Sequence, residues 1–344
     1  MLLVASLALS AEGKGHVAAQ IAARRDDPLV IRTGGPNAGH SVLDERGAVY
    51  KLRQLPTSVI SNPHSTPAIA AGSLIDPVVL LDEIKATGLY VDNLVLIDPN
   101  STVLEPRHLE QERADSHLSN WSTQKGIGAA RADRIHRTAT IARDYDWGEL
   151  TSYIQLMDVA RLAQHSCQYH RPIVIEAAQG YGLGLHTDYY PKTTSANCRA
   201  IDALADVGLS PWRRALTVWL AVRPYPIRVA GESGPLKGET SWDELGLPEE
   251  RTTVTNKVRR VGQWDARLVR RAIRANGGPA ENVVVALTMF DTVAPDWAGL
   301  TKWPDPLPGD EVDNWLWWHR ELADLGAPIK ALGTGPGTMI FLED

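Results

Sequence analysis

Short apolar runs that alternate with amphipathic stretches set the tightest limit on what this chain of 344 residues can fold into. The strand-like runs are Leu2 to Leu9, Leu29 to Arg32, Leu94 to Ile97, Ile173 to Glu176, Leu216 to Ala221 and Val283 to Leu287. Helix-like stretches fall between them, among them Gly15 to Arg25, Asp76 to Thr87, Gly148 to Gln168 and Asp265 to Asn276. Such alternation predicts an α/β fold with a mainly parallel central sheet and helices on both faces. Ligands of these sheets gather beyond the carboxyl ends of the strands. No internal repeat divides the sequence, and residues 1–344 read as one elaborated domain.

Two glycine-rich turns follow the first two strand-like runs. One is Ser10-Ala11-Glu12-Gly13-Lys14-Gly15-His16, and the other is Arg32-Thr33-Gly34-Gly35-Pro36-Asn37-Ala38-Gly39-His40-Ser41. Glycines let consecutive backbone N–H groups converge on an anion, and the helix expected after Gly15 points its positive end at the same spot. Lys14 adds a full charge there. The first turn departs from the Walker pattern, which wants glycine where this chain has Ala8 and Ser or Thr where it has Gly15.

Composition agrees with a soluble enzyme and gives no general nucleic-acid signature. The net charge is −6, and 44% of the residues are hydrophobic, enough for a large core. Met1 to Ala11 is apolar and ends in small residues, but it has no basic stretch before it and is read as a buried first strand rather than a leader. No apolar run reaches the roughly 18 residues of a membrane span. With Cys167 and Cys198 as its two cysteines, the chain suits a reducing compartment, and a cytoplasmic protein without nucleic-acid or membrane partners is expected. His165, Cys167 and His170 match no standard zinc spacing and read as a helix end before the strand at Ile173. Pro295 to Pro308 reads as a surface excursion, and Trp315, Trp317 and Trp318 as the packing residues of a C-terminal helix.

Taken together, the two turns resemble those of the adenylosuccinate synthetases, and the resemblance recurs along most of the chain. Ser122-Thr123-Gln124-Lys125-Gly126-Ile127-Gly128 with Asp133 and Arg137 is similar to the family's nucleotide-phosphate segment. Glu176-Ala177-Ala178-Gln179-Gly180 and Tyr190-Pro191-Lys192-Thr193-Thr194-Ser195-Ala196-Asn197 resemble two further family segments, and Thr252 to Gly262 resembles its aspartate loop. The resemblance implies that a nucleoside triphosphate phosphorylates the purine 6-oxygen and that the amino group of L-aspartate then displaces phosphate at C6. It implies donor-phosphate contacts from Glu12, Gly13, Lys14, Gly15, Gly39, His40 and Ser41, and a magnesium ion held in part by the carbonyl of Gly39. It implies catalytic roles for His40 and Lys14, with His40 stabilising charge on the 6-oxygen. The acceptor nucleotide is expected on Asn37, Ser122, Thr123, Gln179 and Thr194, with Arg137 coming from the partner in a homodimer. Aspartate is expected on Thr253, Val254, Thr255, Asn256, Lys257 and Arg259, and the donor base near Met289, Phe290, Asp291, Thr334, Gly335 and Pro336.

Two departures bear on substrate. Family members carry an aspartate before the glutamate of the first turn, which removes the proton from purine N1, and here that position is Ala11. A methyl group there leaves room for a 2-amino group, so the chain resembles the phage-type branch that joins dGMP and aspartate into N6-succino-2-amino-2'-deoxyadenylate, with Ser10 or a water taking part of the base's role. Met289 stands where guanine-reading members have lysine, which favours ATP or dATP over GTP. A conventional enzyme acting on IMP and a non-catalytic nucleotide-binding regulator are the alternatives.

Overall fold

The computed structural model describes residues 2–6, 12–89, 94–117, 122–212, 215–252, 256–307 and 312–342. Ser10, Ala11, Thr253, Val254 and Thr255 lie outside these residues. The strands are β1 (Leu2–Ser6), β2 (Leu29–Arg32), β3 (His40–Leu43), β4 (Val49–Leu52), β5 (Thr66–Ile69), β6 (Leu74–Ile75), β7 (Val95–Ile97), β8 (Thr102–Val103), β9 (Ile154–Leu156), β10 (Ile173–Gly180), β11 (Thr217–Val222), β12 (Ile227–Arg228), β13 (Arg260–Val261), β14 (Val283–Leu287), β15 (Ile329–Gly335) and β16 (Thr338–Phe341). The helices are α1 (Lys14–Ala23), α2 (Ser58–Ser61), α3 (Pro77–Thr87), α4 (Pro106–Ala114), α5 (Ile127–His136), α6 (Val159–Gln168), α7 (Ala200–Val207), α8 (Ala266–Ala275) and α9 (Val312–Leu325).

The central sheet has the order β16-β15-β14-β11-β1-β10-β2-β5-β7-β9. All its described pairings are parallel except β15 with β16. Because side chains alternate across a strand, Val30, Val174, Ala221 and Ala286 face one side and pack against Val17, Ala18, Ile21 and Ala22 of α1. Leu29, Ile31, Ile173, Ile175, Leu220 and Val285 face the other, against α6 to α9. Both faces are covered, which is why these strands read as continuous apolar runs.

The expected helix from Gly148 to Gln168 is in fact three elements. Gly148–Ser152 is a 3-10 turn, Ile154–Leu156 extends the sheet as β9 beside β7, and α6 starts only at Val159, where Asp158 accepts a hydrogen bond from Arg161 N at 2.8 Å. Pro67 masks β5 in the sequence, yet it precedes the residues that pair with β7 and is tolerated there. The expected surface excursion at Pro295 to Pro308 is anchored inward: Trp297 is fully buried, edge-on to Phe290 and Trp303. Pro308 lies outside the described residues. On α9, Trp315 and Trp318 pack inward as expected, whereas Trp317 is 49% exposed. His165 belongs to α6 and lies against the ring of Tyr169, in keeping with the helix-end reading. Among the described residues no helix is long and apolar enough to cross a membrane.

Candidate active site

The parallel register of β2 and β10 sets Arg32 opposite Glu176, each at the carboxyl end of a run of buried apolar residues. Arg32 Nη1 donates to Glu176 Oε1 at 2.9 Å, and Arg32 Nη2 donates to the carbonyl of Ala38 at 2.8 Å, pulling the second glycine turn over the strand ends. That turn delivers His40, whose Nδ1 lies 2.5 Å from Glu176 Oε1 and in contact with Arg32 Nη1. The other carboxylate oxygen accepts from the backbone N–H of Thr57 at 2.8 Å and lies 2.9 Å from its hydroxyl. That hydroxyl is equally close to the carbonyl of Gly15.

Gly15 explains how the two turns meet. A Cβ there would lie 2.5 Å from His40 Cβ, so any side chain at this position would push the histidine off α1. Gly13 has φ 79 and faces Thr288, whose hydroxyl donates to the carbonyl of Glu12 at 2.9 Å. The start of α1 is thereby fixed to the ends of β2, β10 and β14 together.

All of these groups are buried, and their titration follows from it. Burial, with the charge of Arg32 adding, pushes the His40 imidazole down to about 3 against the pull of Glu176. Burial would raise the Glu176 carboxyl, but the charge of Arg32 and the hydrogen bonds from His40 and Thr57 hold it below the ordinary carboxylate value. Lys14, 3% exposed, is lowered to about 8 by burial, with Glu12 opposing and Arg32 and Arg259 adding. The free centre thus holds a neutral imidazole, a carboxylate, a guanidinium and a lysine that is still largely protonated at neutral pH.

Beside this centre the residues following Arg32 and Glu176 open into a narrow cleft. Asn37, Gln179 and Thr194 line it, as expected of acceptor contacts, together with Arg131 of α5 and Asp206 of α7. Ser122 and Thr123 lie in the turn ahead of α5 and are not among its lining residues. Arg137 closes α5 in a left-handed conformation and is exposed, while Ser41 points to solvent from β3.

Of the expected aspartate contacts, Asn256 and Lys257 are exposed and Arg259 is half-buried. Burial lowers the Arg259 guanidinium, which feels Glu250 and Arg223. Arg223, buried just past β11, forms a two-pronged ion pair with Glu250 at 2.9 and 2.5 Å. At the donor-base end, Gly333 lets β15 close on β14, its Cβ position 3.0 Å from Thr288 Cα, which brings Thr334, Gly335 and Pro336 toward Met289 and Asp291. Phe290 is a correction: it is fully buried, packed edge-on against Trp297 and Trp315, so its ring serves the core and not the base. Met289 and Asp291 remain half-exposed, and burial raises the Asp291 carboxyl.

Motif reasoning assigns no functional role to Arg32, Glu176, Thr57 or Arg223. The signal is present for three of them, since Arg32, Glu176 and Arg223 each follow directly on a run of buried apolar strand residues, where a buried charge has few structural uses.

Two glycine-rich turns, a buried imidazole and a cleft beside them at the carboxyl ends of a parallel sheet fit an enzyme that handles an anionic substrate. Comparisons with known proteins make this specific. The adenylosuccinate synthetase family profile matches residues 4–146 and 147–294. The adenylosuccinate synthetases of Methanococcus aeolicus and Thermococcus onnurineus are each 36% identical over 334 residues, covering 94% of this chain and 94% and 93% of theirs. Among solved structures, the cyanophage S-2L succinoaminodeoxyadenylate synthetase PurZ, bound to dGMP and dATP as an energy donor, superposes with TM-score 0.81 at 27% identity, covering all of this chain and 95% of that one. The fully ligated adenylosuccinate synthetase of Plasmodium falciparum shares the fold at TM-score 0.81 and 19% identity. The chain belongs to the adenylosuccinate synthetase family and is a carbon–nitrogen ligase of purine nucleotide biosynthesis.

Proposed function

We propose that this ligase joins L-aspartate to C6 of dGMP, with ATP or dATP as phosphoryl donor, and yields N6-succino-2-amino-2'-deoxyadenylate. The observation that carries this reading is Ala11, which stands where the family's aspartate would crowd a 2-amino group. Met289 in place of a guanine-reading lysine supports an adenine donor. The likeness to an enzyme solved with dGMP and dATP agrees with both.

In the first step the 6-oxygen attacks the terminal phosphorus of the donor, the nucleoside diphosphate leaves and the N1 proton passes to a water, with Ser10 assisting in the role that Ala11 leaves open. Lys14 and the start of α1 hold the donor's phosphates. His40, held by Glu176, stabilises charge at the 6-oxygen; an arriving phosphate dianion favours the imidazolium, and Glu176 carries the matching negative charge. In the second step the amine of aspartate attacks C6 and phosphate leaves, with Arg259 and Lys257 holding the carboxylates. Magnesium would neutralise the donor phosphates. The residues fit an ion held mainly by substrate oxygens and water, because Glu176 is committed to Arg32, His40 and Thr57 and the protein's share falls to the carbonyl of Gly39. Arg137, exposed at the end of α5, suits donation to a partner's site in a homodimer.

A second reading, adenylosuccinate synthesis from IMP, is favoured by the curated relatives, conventional archaeal enzymes such as that of Methanococcus aeolicus at 36% identity. Phosphate release with magnesium, L-aspartate and ATP separates the two when dGMP, GMP and IMP are compared and the product is weighed by mass spectrometry. Turnover of dGMP is expected. Turnover of IMP without dGMP returns the chain to ordinary adenine nucleotide synthesis, and silence with all three leaves a nucleotide-binding regulator.

A further inference from the structure

Arg131 is a charged residue of the cleft wall that the two chemical steps do not use. It sits one turn into α5, and its Nε is buried without a hydrogen-bond partner. The other arginine of the wall, Arg199, is engaged with Asp202 by two hydrogen bonds of 2.9 Å. Asp206 faces Arg131 across the cleft but forms no ion pair with it within 4.0 Å among the described residues. Burial further raises the Asp206 carboxyl to about 6, with Asp202 adding and Arg131 opposing. Arg131 is half-buried, and Asp206 acts on its charge only across a gap, so its guanidinium lacks a close counter-charge among the described residues, which is costly for a group taken partly out of water.

The start of α5 cannot supply the missing anion contact by itself. Its amides at Gly126 and Gly128 already donate to the buried carboxylate of Glu112, at 2.5 and 3.2 Å. A negative side chain thus occupies the place where the helix would otherwise attract a phosphate. A dianion entering between Asn37, Thr194 and α5 meets Arg131, the arginine among the lining residues that is not committed to a carboxylate.

We propose that Arg131 is a binding residue for the 5'-phosphate of the acceptor nucleotide, supplied from within the same chain. This rests on reading the cleft as the acceptor site, and it is independent of which purine the site prefers. The planar fork of the guanidinium matches two phosphate oxygens, and its charge is neutralised when the nucleotide arrives.

The test is binding of dGMP, IMP and deoxyguanosine to the full chain and to its Arg131→Met and Arg131→Lys variants, by calorimetry, with thermal unfolding as the check on folding. Arg131→Met is expected to weaken both monophosphates by the same factor, about 10- to 100-fold, while deoxyguanosine is unaffected. Arg131→Lys should fall between, because it keeps the charge but not the fork. Unchanged monophosphate affinity in Arg131→Met, or an equal loss for nucleoside and nucleotide, overturns the proposal and makes Arg131 a structural partner of Asp206. Failure of the unaltered chain to bind either monophosphate overturns the acceptor reading of the cleft and this assignment with it.

Discussion

Where β2 ends beside β10 the charges answer one another: Arg32 meets Glu176, Glu176 meets His40 and Thr57, and Arg32 also closes on the backbone at Ala38. On the neighbouring wall of the cleft, Arg131 and Asp206 are half-buried and feel each other's charge, yet no ion pair within 4.0 Å joins them among the described residues. The first region is organised before any ligand binds, as a centre that stabilises a transition state must be. The second is left incomplete, as a surface that gains its last partner from the ligand would be. The difference teaches where binding energy and catalytic energy reside in this protein, and three substitutions and a pH titration test it.

The largest effect is expected at His40. Replacing it with alanine should lower phosphate release by about 100- to 10,000-fold while nucleotide affinity changes little, measured by steady-state kinetics alongside calorimetry. A parallel loss of binding would make the closed centre a scaffold rather than a catalyst. Next is Glu176→Gln, which leaves Arg32 buried without its counter-charge. A loss of about 3–5 kcal/mol in folding stability is expected from denaturant unfolding. The same change should lower kcat, since the amide no longer carries the negative charge that favours the His40 imidazolium. A variant as stable as the parent would show that the network is not the tight pair its geometry describes.

Ala11→Asp follows, with an effect confined to substrate choice. Restoring the carboxylate should shift the ratio of dGMP to IMP turnover about 10-fold or more toward IMP, through crowding of the 2-amino group. An unchanged ratio would remove the steric case for a guanylate acceptor without touching the assignment of His40.

How much of the molecule is legible in the sequence depends on the distance over which each feature is decided. The glycine turns, α1 and the alternation of strands with helices are local patterns, and the structure follows them. Glu176 and Arg32 are 144 residues apart, and only the register of β10 against β2 makes them partners. Phe290 misleads for the same reason, because its aromatic neighbours Trp297 and Trp315 come from segments whose packing no motif encodes. Gly148 to Gln168 passes for a helix because its strand is three residues long and exists only by pairing with β7. Arg131 is not readable at all, since a single arginine on an amphipathic helix looks like part of a solvated face.

The mildest expected effect concerns Lys14, which belongs to the closed region but must still meet a ligand. Its folded value of about 8 lies below the 10.5 of a free lysine, with burial as the main cause. The charged form is therefore disfavoured by folding, and it disappears from the free protein as pH rises through about 8. Affinity for the triphosphate should accordingly decline from pH 7 to 9, by a few-fold to about 10-fold, the worth of one charge-assisted hydrogen bond to phosphate. Bound phosphate pulls the other way, raising the lysine, so binding near pH 8 should take up protons, measurable as a dependence of calorimetric heat on the ionisation enthalpy of the buffer. In Lys14→Arg, whose guanidinium stays charged throughout, the decline should flatten. A decline that persists there would move the titrating group to another residue of the closed centre, and the contrast between its neutralised network and the open wall at Arg131 would then need to be redrawn around that group.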